Sequence, residues 1–198
     1  ARMNVPSVFI YGGSIKPGTY GGKPVDIVSA FEAVGAYSAG KISEEERQGI
    51  EKAACPGPGA CGGMYTANTM ASAMEALGMT VPGSSSVPAV QDARREIMVR
   101  SAEALYRMIE NGTTPRQIMT RRAFENAIRV VMALGGSTNS VLHLIALARE
   151  VDVPLSIDDF NGFSDTTPIL CDMKPAGRYV MADLYEAGGL QVVMKMLL

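Results

Sequence analysis

The sequence predicts an α/β domain, helix-rich and built in three layers around a mainly parallel sheet. Three observations point there. Short apolar runs rich in strand formers alternate with segments of helical period. The first such run, residues 5–11, feeds a glycine loop at Gly12, Gly13 and Ser14, as a buried strand does at the carboxyl edge of a parallel sheet. The long middle of the chain has helical spacing, so helices outweigh strands.

Taken in order, the strand at 5–11 is followed by the glycine loop and a Lys16-Pro17-Gly18 turn. Val25, Val28, Phe31, Val34 and Tyr37 then recur near the helical period, which predicts a helix from Pro24 to about Gly40. Ser43 and Glu46 form a capping box for a helix that runs to Ala54, with solvated glutamates in its first turn. Residues 55–63 are a Pro/Gly loop that cannot sustain a helix. After Gly63, the spacing of Met64, Ala67, Met70, Ala71, Met74 and Leu77 predicts a helix entering the core. Residues 82–88, rich in Pro, Gly and Ser, read as a surface hinge whose serines cap and turn.

A helix is expected over about 90–110, with Ile97, Leu105 and Ile109 inward and Arg94, Arg95 and Glu103 outward. Asn111-Gly112 ends it, Thr114-Pro115 starts a turn, and Thr120 opens a helix that reaches Leu134. A loop at 135–139 joins it to a second apolar helix. Residues 153–157 read as a strand before a short helix from Asp158, and 169–171 as a further buried strand. Helices over 180–186 and 190–198 complete the chain.

Composition narrows the function classes. The 198 residues are 47 % hydrophobic and 19 % charged, enough for one domain with a sizeable core. A formal net charge of −2 gives no footprint for nucleic acid or an anionic membrane, and the absence of Trp argues against stacking on single strands. The 13 methionines read as core filler on helical faces. Three cysteines without disulfide spacing suit a reducing compartment, with a cytoplasmic location (or an organelle interior) as the expectation. No run approaches membrane-spanning length.

Two loops carry the chemistry. Cys61 stands where the Pro/Gly loop turns into a helix. A thiol facing free amides and the positive end of a helix dipole is favoured as thiolate, the metal-binding form. The same residue also suits a small buried hydrophobe. Its separation from Cys55 fits neither a zinc nor a redox CxxC pattern. The second loop, Gly135-Gly136-Ser137-Thr138-Asn139, either presents amides to a carboxylate or phosphate, or is a helix–helix turn with a glycine stop and a Ser/Thr/Asn cap. The glycine loop at 12–14 is neither a GxGxxG nor a Walker sequence. His143, the single histidine, lies on an apolar helix as a core residue without a catalytic partner, and Cys171 reads as a core thiol.

The run from Cys55 to Ala71, with Gly-Ala-Cys61-Gly-Gly-Met at its centre, resembles the iron–sulfur segment of the dihydroxy-acid, sugar-acid and phosphogluconate dehydratase family. Three further stretches match in family order: Tyr11 to Gly18, Ala133 to Leu144, and Asp172 to Val180. The resemblance implies that residues 1–198 are part of the N-terminal α/β domain of a larger two-domain chain, whose second, β-rich domain lies outside them. It implies loss of water from a 2,3-dihydroxy carboxylic acid to give a 2-oxo acid, as in valine and isoleucine synthesis. The implied cofactors are an iron–sulfur cluster, 2Fe–2S in preference to 4Fe–4S, and Mg2+. The implied partner is a second copy, in a homodimer.

Cys61 is the one cluster ligand that the resemblance maps onto this sequence. Ser137 and Thr138 map to the wall of the substrate pocket. The family's other cluster cysteines, its magnesium ligands and its serine base fall outside residues 1–198, so these residues alone are expected to be inactive. A sugar-acid or phosphogluconate dehydratase is the alternative within the family. A non-catalytic α/β module that binds an anion or a partner is the alternative outside it.

Overall fold

The computed structural model describes residues 1–198. It has ten helices and a single pair of strands. Strands β1 (Gly18–Tyr20) and β2 (Lys23–Val25) form an antiparallel hairpin closed by Gly21 and Gly22. Both glycines have positive φ, as a two-residue hairpin turn requires. Helix α1 (Ile27–Ser38) and helix α2 (Glu44–Ala54) pack as a pair beside it. Gly49 lets the Tyr20 ring lie flat on α2, since a Cβ there would come within 2.2 Å of the ring. Asp26 caps α1, accepting from the amides of Val28 and Ser29. Ser43 caps α2 by accepting from the Glu46 amide, which is half of the expected box.

The remaining helices form the body: α3 (Thr66–Ala76), α4 (Ala93–Glu110), α5 (Pro115–Ile118), α6 (Arg121–Ala133), α7 (Asn139–Glu150), α8 (Ile157–Thr166), α9 (Met181–Glu186) and α10 (Gly189–Met196). Helix α6 is the axis. Phe124, Ala127, Ile128 and Val131 follow an i, i+3, i+4, i+7 spacing and pack with Ala73, Met74, Leu77, Leu144 and Phe160 from α3, α7 and α8. Val130, Ala133 and Leu134 point to a second cluster with Met64, Met173, Met181, Leu184, Leu190 and Val193. A helix buried on two sides is what joins the clusters into one body.

The expected parallel sheet is not found. Residues 5–11 have no regular structure and no backbone partner apart from a hydrogen bond from the Phe9 amide to the Met79 carbonyl, and Phe9 and Ile10 are exposed. Residues 153–156 and 169–171 are irregular, and Ile169 is 75 % exposed. Apolar β-branched content alone does not make a strand; a partner edge must be present to take the backbone bonds. The parallel pairing is limited to two isolated bridges, Ser14 with Ala60 and Met173 with Tyr179. The helix-rich part of the expectation stands.

Four local readings also change. Phe31, Val34 and Tyr37 of the α1 rhythm are exposed, as is Ile109 of α4. Arg94, placed outward by periodicity, is 8 % exposed and donates to the Val87 carbonyl. The 82–88 loop is no surface hinge, because Ser84, Ser85 and Ser86 are buried. The buried Glu75 carboxylate holds this loop, accepting from the amides of Gly83 (2.6 Å) and Ser85 (2.9 Å). His143 is exposed, so it is not a core residue.

The two-sided burial of α6 predicts where stability resides. Phe124→Ala is expected to cost about 3–5 kcal/mol in urea unfolding, by loss of a fully buried ring and formation of a cavity. Phe31→Ala, on an exposed face, is expected to stay within about 0.5 kcal/mol.

Candidate functional site

The Pro/Gly loop is pinned residue by residue to distant segments. Ala60 donates to the Gly13 carbonyl and accepts from the Ile15 amide. The Gly62 carbonyl accepts from the Met181 amide, and the Met64 amide donates to the Lys174 carbonyl, each at 2.6 Å. The glycines are needed for these approaches. A Cβ on Gly59, which also has positive φ, would fall 2.5 Å from the Ile15 nitrogen, and one on Gly63 would fall 2.9 Å from the Lys174 oxygen. Lys174 is held in turn by an ion pair with Asp26, at 2.5 Å, so the α1 cap and the loop share one support. Burial works to raise the Asp26 pKa, but the Lys174 ammonium and the Ser29 and Val28 amides outweigh it and hold the carboxyl below its usual range.

Cys61 does not lie on the helix start. Helix α3 begins at Thr66 with Tyr65 as its N-cap, so the dipole reading of Cys61 does not carry over directly. The link is made by a side chain of the first turn. Asn68, fully buried, donates from Nδ2 to the carbonyls of Cys61 (2.5 Å) and Gly63 (2.7 Å). Its Oδ1 accepts the Tyr11 hydroxyl at 2.6 Å. The side chain of Cys61 is exposed, which excludes the reading of a small buried hydrophobe. Cys55, the C-cap of α2, is exposed too, whereas Cys171 is half-buried and its thiol pKa is raised by burial.

Two tyrosines lie within electrostatic reach of Cys61. Burial first, then the repulsion that a negative charge on Cys61 would exert, pushes the Tyr11 phenol up to about 12, with Arg94 acting in the opposite direction. Tyr65 is raised by burial, by Asp26 and by Cys61.

The second loop reaches the same helix turn. The Ser137 amide donates to Thr69 Oγ1 at 3.0 Å, and Asn139 Nδ2 donates to Thr66 Oγ1 at 2.8 Å. Gly136 permits this contact, because a Cβ would meet Thr69 Cγ2 at 2.8 Å. Thr69 Oγ1 also donates to the Met64 carbonyl, so it ties both loops. At the start of α7 the first amides are already used, Asn139 and Ser140 bonding to Ser137 and Val141 to Thr138. Gly135, at positive φ, is the helix stop, so the turn-and-cap reading of this loop holds. The free amides are on α3 instead. Those of Thr66, Ala67 and Asn68 make no hydrogen bond, and no side chain caps that end.

The Cys61 carbonyl and the Ser137 amide are thus bonded to adjacent residues of one helix turn, whereas Thr138 makes no bond to that turn and borders a groove with Val141, Leu142 and Ile157. Periodicity missed Asn68, Tyr11 and Arg94. The available signal was an amide side chain, Asn68, between two threonines in the first turn of a helix whose Met and Ala spacing marks it as entering the core. An exposed soft donor on a fixed loop suits one ligand of an iron–sulfur cluster. No group of three His, Cys, Asp or Glu side chains comes together in this chain.

One helix turn, at a start without a side-chain cap, thus holds both the cysteine loop and the loop after α6. The family pattern described as "Dihydroxy-acid/6-phosphogluconate dehydratase N-terminal" matches residues 1–198, and the chain belongs to that family. Its relatives include proteins named dihydroxy-acid dehydratase from Synechocystis sp., 57 % identical over 198 residues, and from Chloroflexus aurantiacus, 58 % identical. One from Nitrosomonas eutropha is 56 % identical. All of this chain is covered in each case, but it spans only 35–36 % of the relatives' length. No helix is long and apolar enough to cross a membrane.

The raised phenol gives a pH test. A folded-state pKa above the unfolded value means stability that is complete below about pH 10 and lost as pH rises toward 12. Tyr11→Phe is expected to remove that part of the alkaline loss and one late-forming phenolate from the absorbance titration. An unchanged titration would count against the burial of Tyr11.

Proposed function

We propose that this chain serves the dehydration of 2,3-dihydroxy carboxylic acids to 2-oxo acids, with branched dihydroxy acids of valine and isoleucine synthesis as substrates. The observation that supports it is an exposed Cys61 whose main chain is bonded to the first turn of α3, where the amides of Thr66 and Ala67 are free. Relatives at 56–58 % identity named dihydroxy-acid dehydratase favour these substrates over sugar acids or phosphogluconate.

The reaction takes the C2 proton and the C3 hydroxyl as water, and the enol left behind tautomerises to the 2-oxo acid. The family resemblance adds an iron–sulfur cluster and Mg2+, which when bound supply a Lewis acid for the leaving hydroxyl and a cation for the carboxylate and 2-hydroxyl. In this reading Cys61 Sγ would hold iron of the cluster. The free amides of Thr66 and Ala67, at the positive end of α3, receive the substrate carboxylate. Ser137, half-buried, and Thr138, exposed, present hydroxyls from the neighbouring loop and orient the substrate. The base and the remaining metal ligands come from outside residues 1–198, and the protein acts as a homodimer. A cytoplasmic site of action belongs to the same proposal.

The test uses the full-length protein purified without oxygen, with Cys61→Ser beside it. Iron and sulfide content, the visible spectrum and 2-oxo acid formation are measured, with branched dihydroxy acids and sugar acids as competing substrates. The parent is expected to be coloured and to prefer the branched acids, and the substitution to abolish both colour and turnover. Retention of iron and turnover in Cys61→Ser would overturn the assignment.

A further inference from the structure

Cys61 is exposed, yet its main chain is aimed by a buried side chain that the reading above does not use. The Asn68 amide has two donors on one side and one acceptor on the other. Both donors face carbonyls, those of Cys61 and Gly63, so the nitrogen must point at the loop. The oxygen then needs a donor in a place that water does not reach, and the Tyr11 hydroxyl is that donor. We propose that Asn68, latched by Tyr11, is the positioning residue for Cys61: it turns the Cys61 carbonyl inward and so directs the Cys61 side chain to the solvent side, where a metal centre is met. This rests on the reading of Cys61 as an iron ligand.

The physical reason is geometric. Holding the carbonyls on either side of Gly62 fixes the peptide planes after Cys61 and after Gly63. With the Ala60 amide and carbonyl already bonded to Gly13 and Ile15, the backbone of Cys61 has little freedom left, and its Cα–Cβ direction follows. The residue type is specific. Aspartate offers no donor to the two carbonyls and leaves a buried charge against them, and leucine fills the space without bonds. The Tyr11 phenol must keep its proton to donate, and its buried surroundings keep it protonated through the neutral range. Arg94, buried beside it without a carboxylate partner, acts in the opposite direction, and burial outweighs it.

The experiment compares the full-length protein with Asn68→Leu and Tyr11→Phe, the second removing one hydroxyl and keeping the ring. Amide hydrogen exchange is read across residues 60–64, with α6 as internal reference, together with the rate at which bound iron passes to a chelator. Loss of two buried hydrogen bonds is expected to speed exchange at 60–64 on the order of tenfold in Asn68→Leu. Tyr11→Phe is expected to give a smaller change in the same direction, with α6 unchanged in both and iron release following the same rank. Unchanged exchange at 60–64 in both variants overturns the proposal. So does an equal acceleration in α6, which marks general destabilisation. Iron retained in Cys61→Ser instead overturns the function proposed above, and the exchange data still decide on the Asn68 clasp.

Discussion

Helix α3 against helix α6 is the contact on which the rest depends. Ala73, Met74 and Leu77 on one side and Phe124, Ala127, Ile128 and Val131 on the other bury a common face. With that face inside, the first turn of α3 is left at the end of the body, where Asn68 and Thr69 are buried but their side chains reach outward to loops. Asn68 takes the cysteine loop and Thr69 takes the loop after α6. The site is therefore a by-product of a hydrophobic contact, since two loops that never bond to each other are placed by adjacent residues of one turn.

The interior near this turn is unusually polar for so small a body. Glu75 lies on the buried side of α3 and takes two backbone amides, so its charge is met by dipoles rather than by a cation. Arg94 is buried with a carbonyl as its bonded partner. Each tethers a loop that passes close to the glycine segment at 12–15, with Ala89 bonding back to Ser14. Polar contacts of this kind add modestly to stability, but they specify one arrangement, because the alternatives leave charges without partners.

Helices were legible in the sequence because their signals are local. Ser43, Thr120 and Gly135 act as caps and stops where the residue types require, and α2, α5, α6 and α7 begin within a residue or two of their expected starts. The sheet was not legible, because residues 5–11 and 169–171 have strand composition without a strand partner, and pairing is not a property of one segment. Cys61 was found by its motif; its setting was not. Arg94 was assigned to solvent by helical period, and only the three-dimensional path of 81–89 shows the carbonyl that receives it. The same holds for Tyr11 and Asn68, which are far apart in sequence and meet only through the fold.

The pinning of the cysteine loop has a consequence for the order in which the molecule is made. Its supports come from residues 13–15, 68, 174 and 181, which span most of the chain. Contacts between such distant segments must first meet the entropy of closing long loops, and so they form after local helices. The thiol of Cys61 exists from the moment the residue is synthesised. Its direction exists only once the last helices have docked, so reactivity precedes geometry during folding, and a ligand arriving early meets a cysteine that does not yet point anywhere.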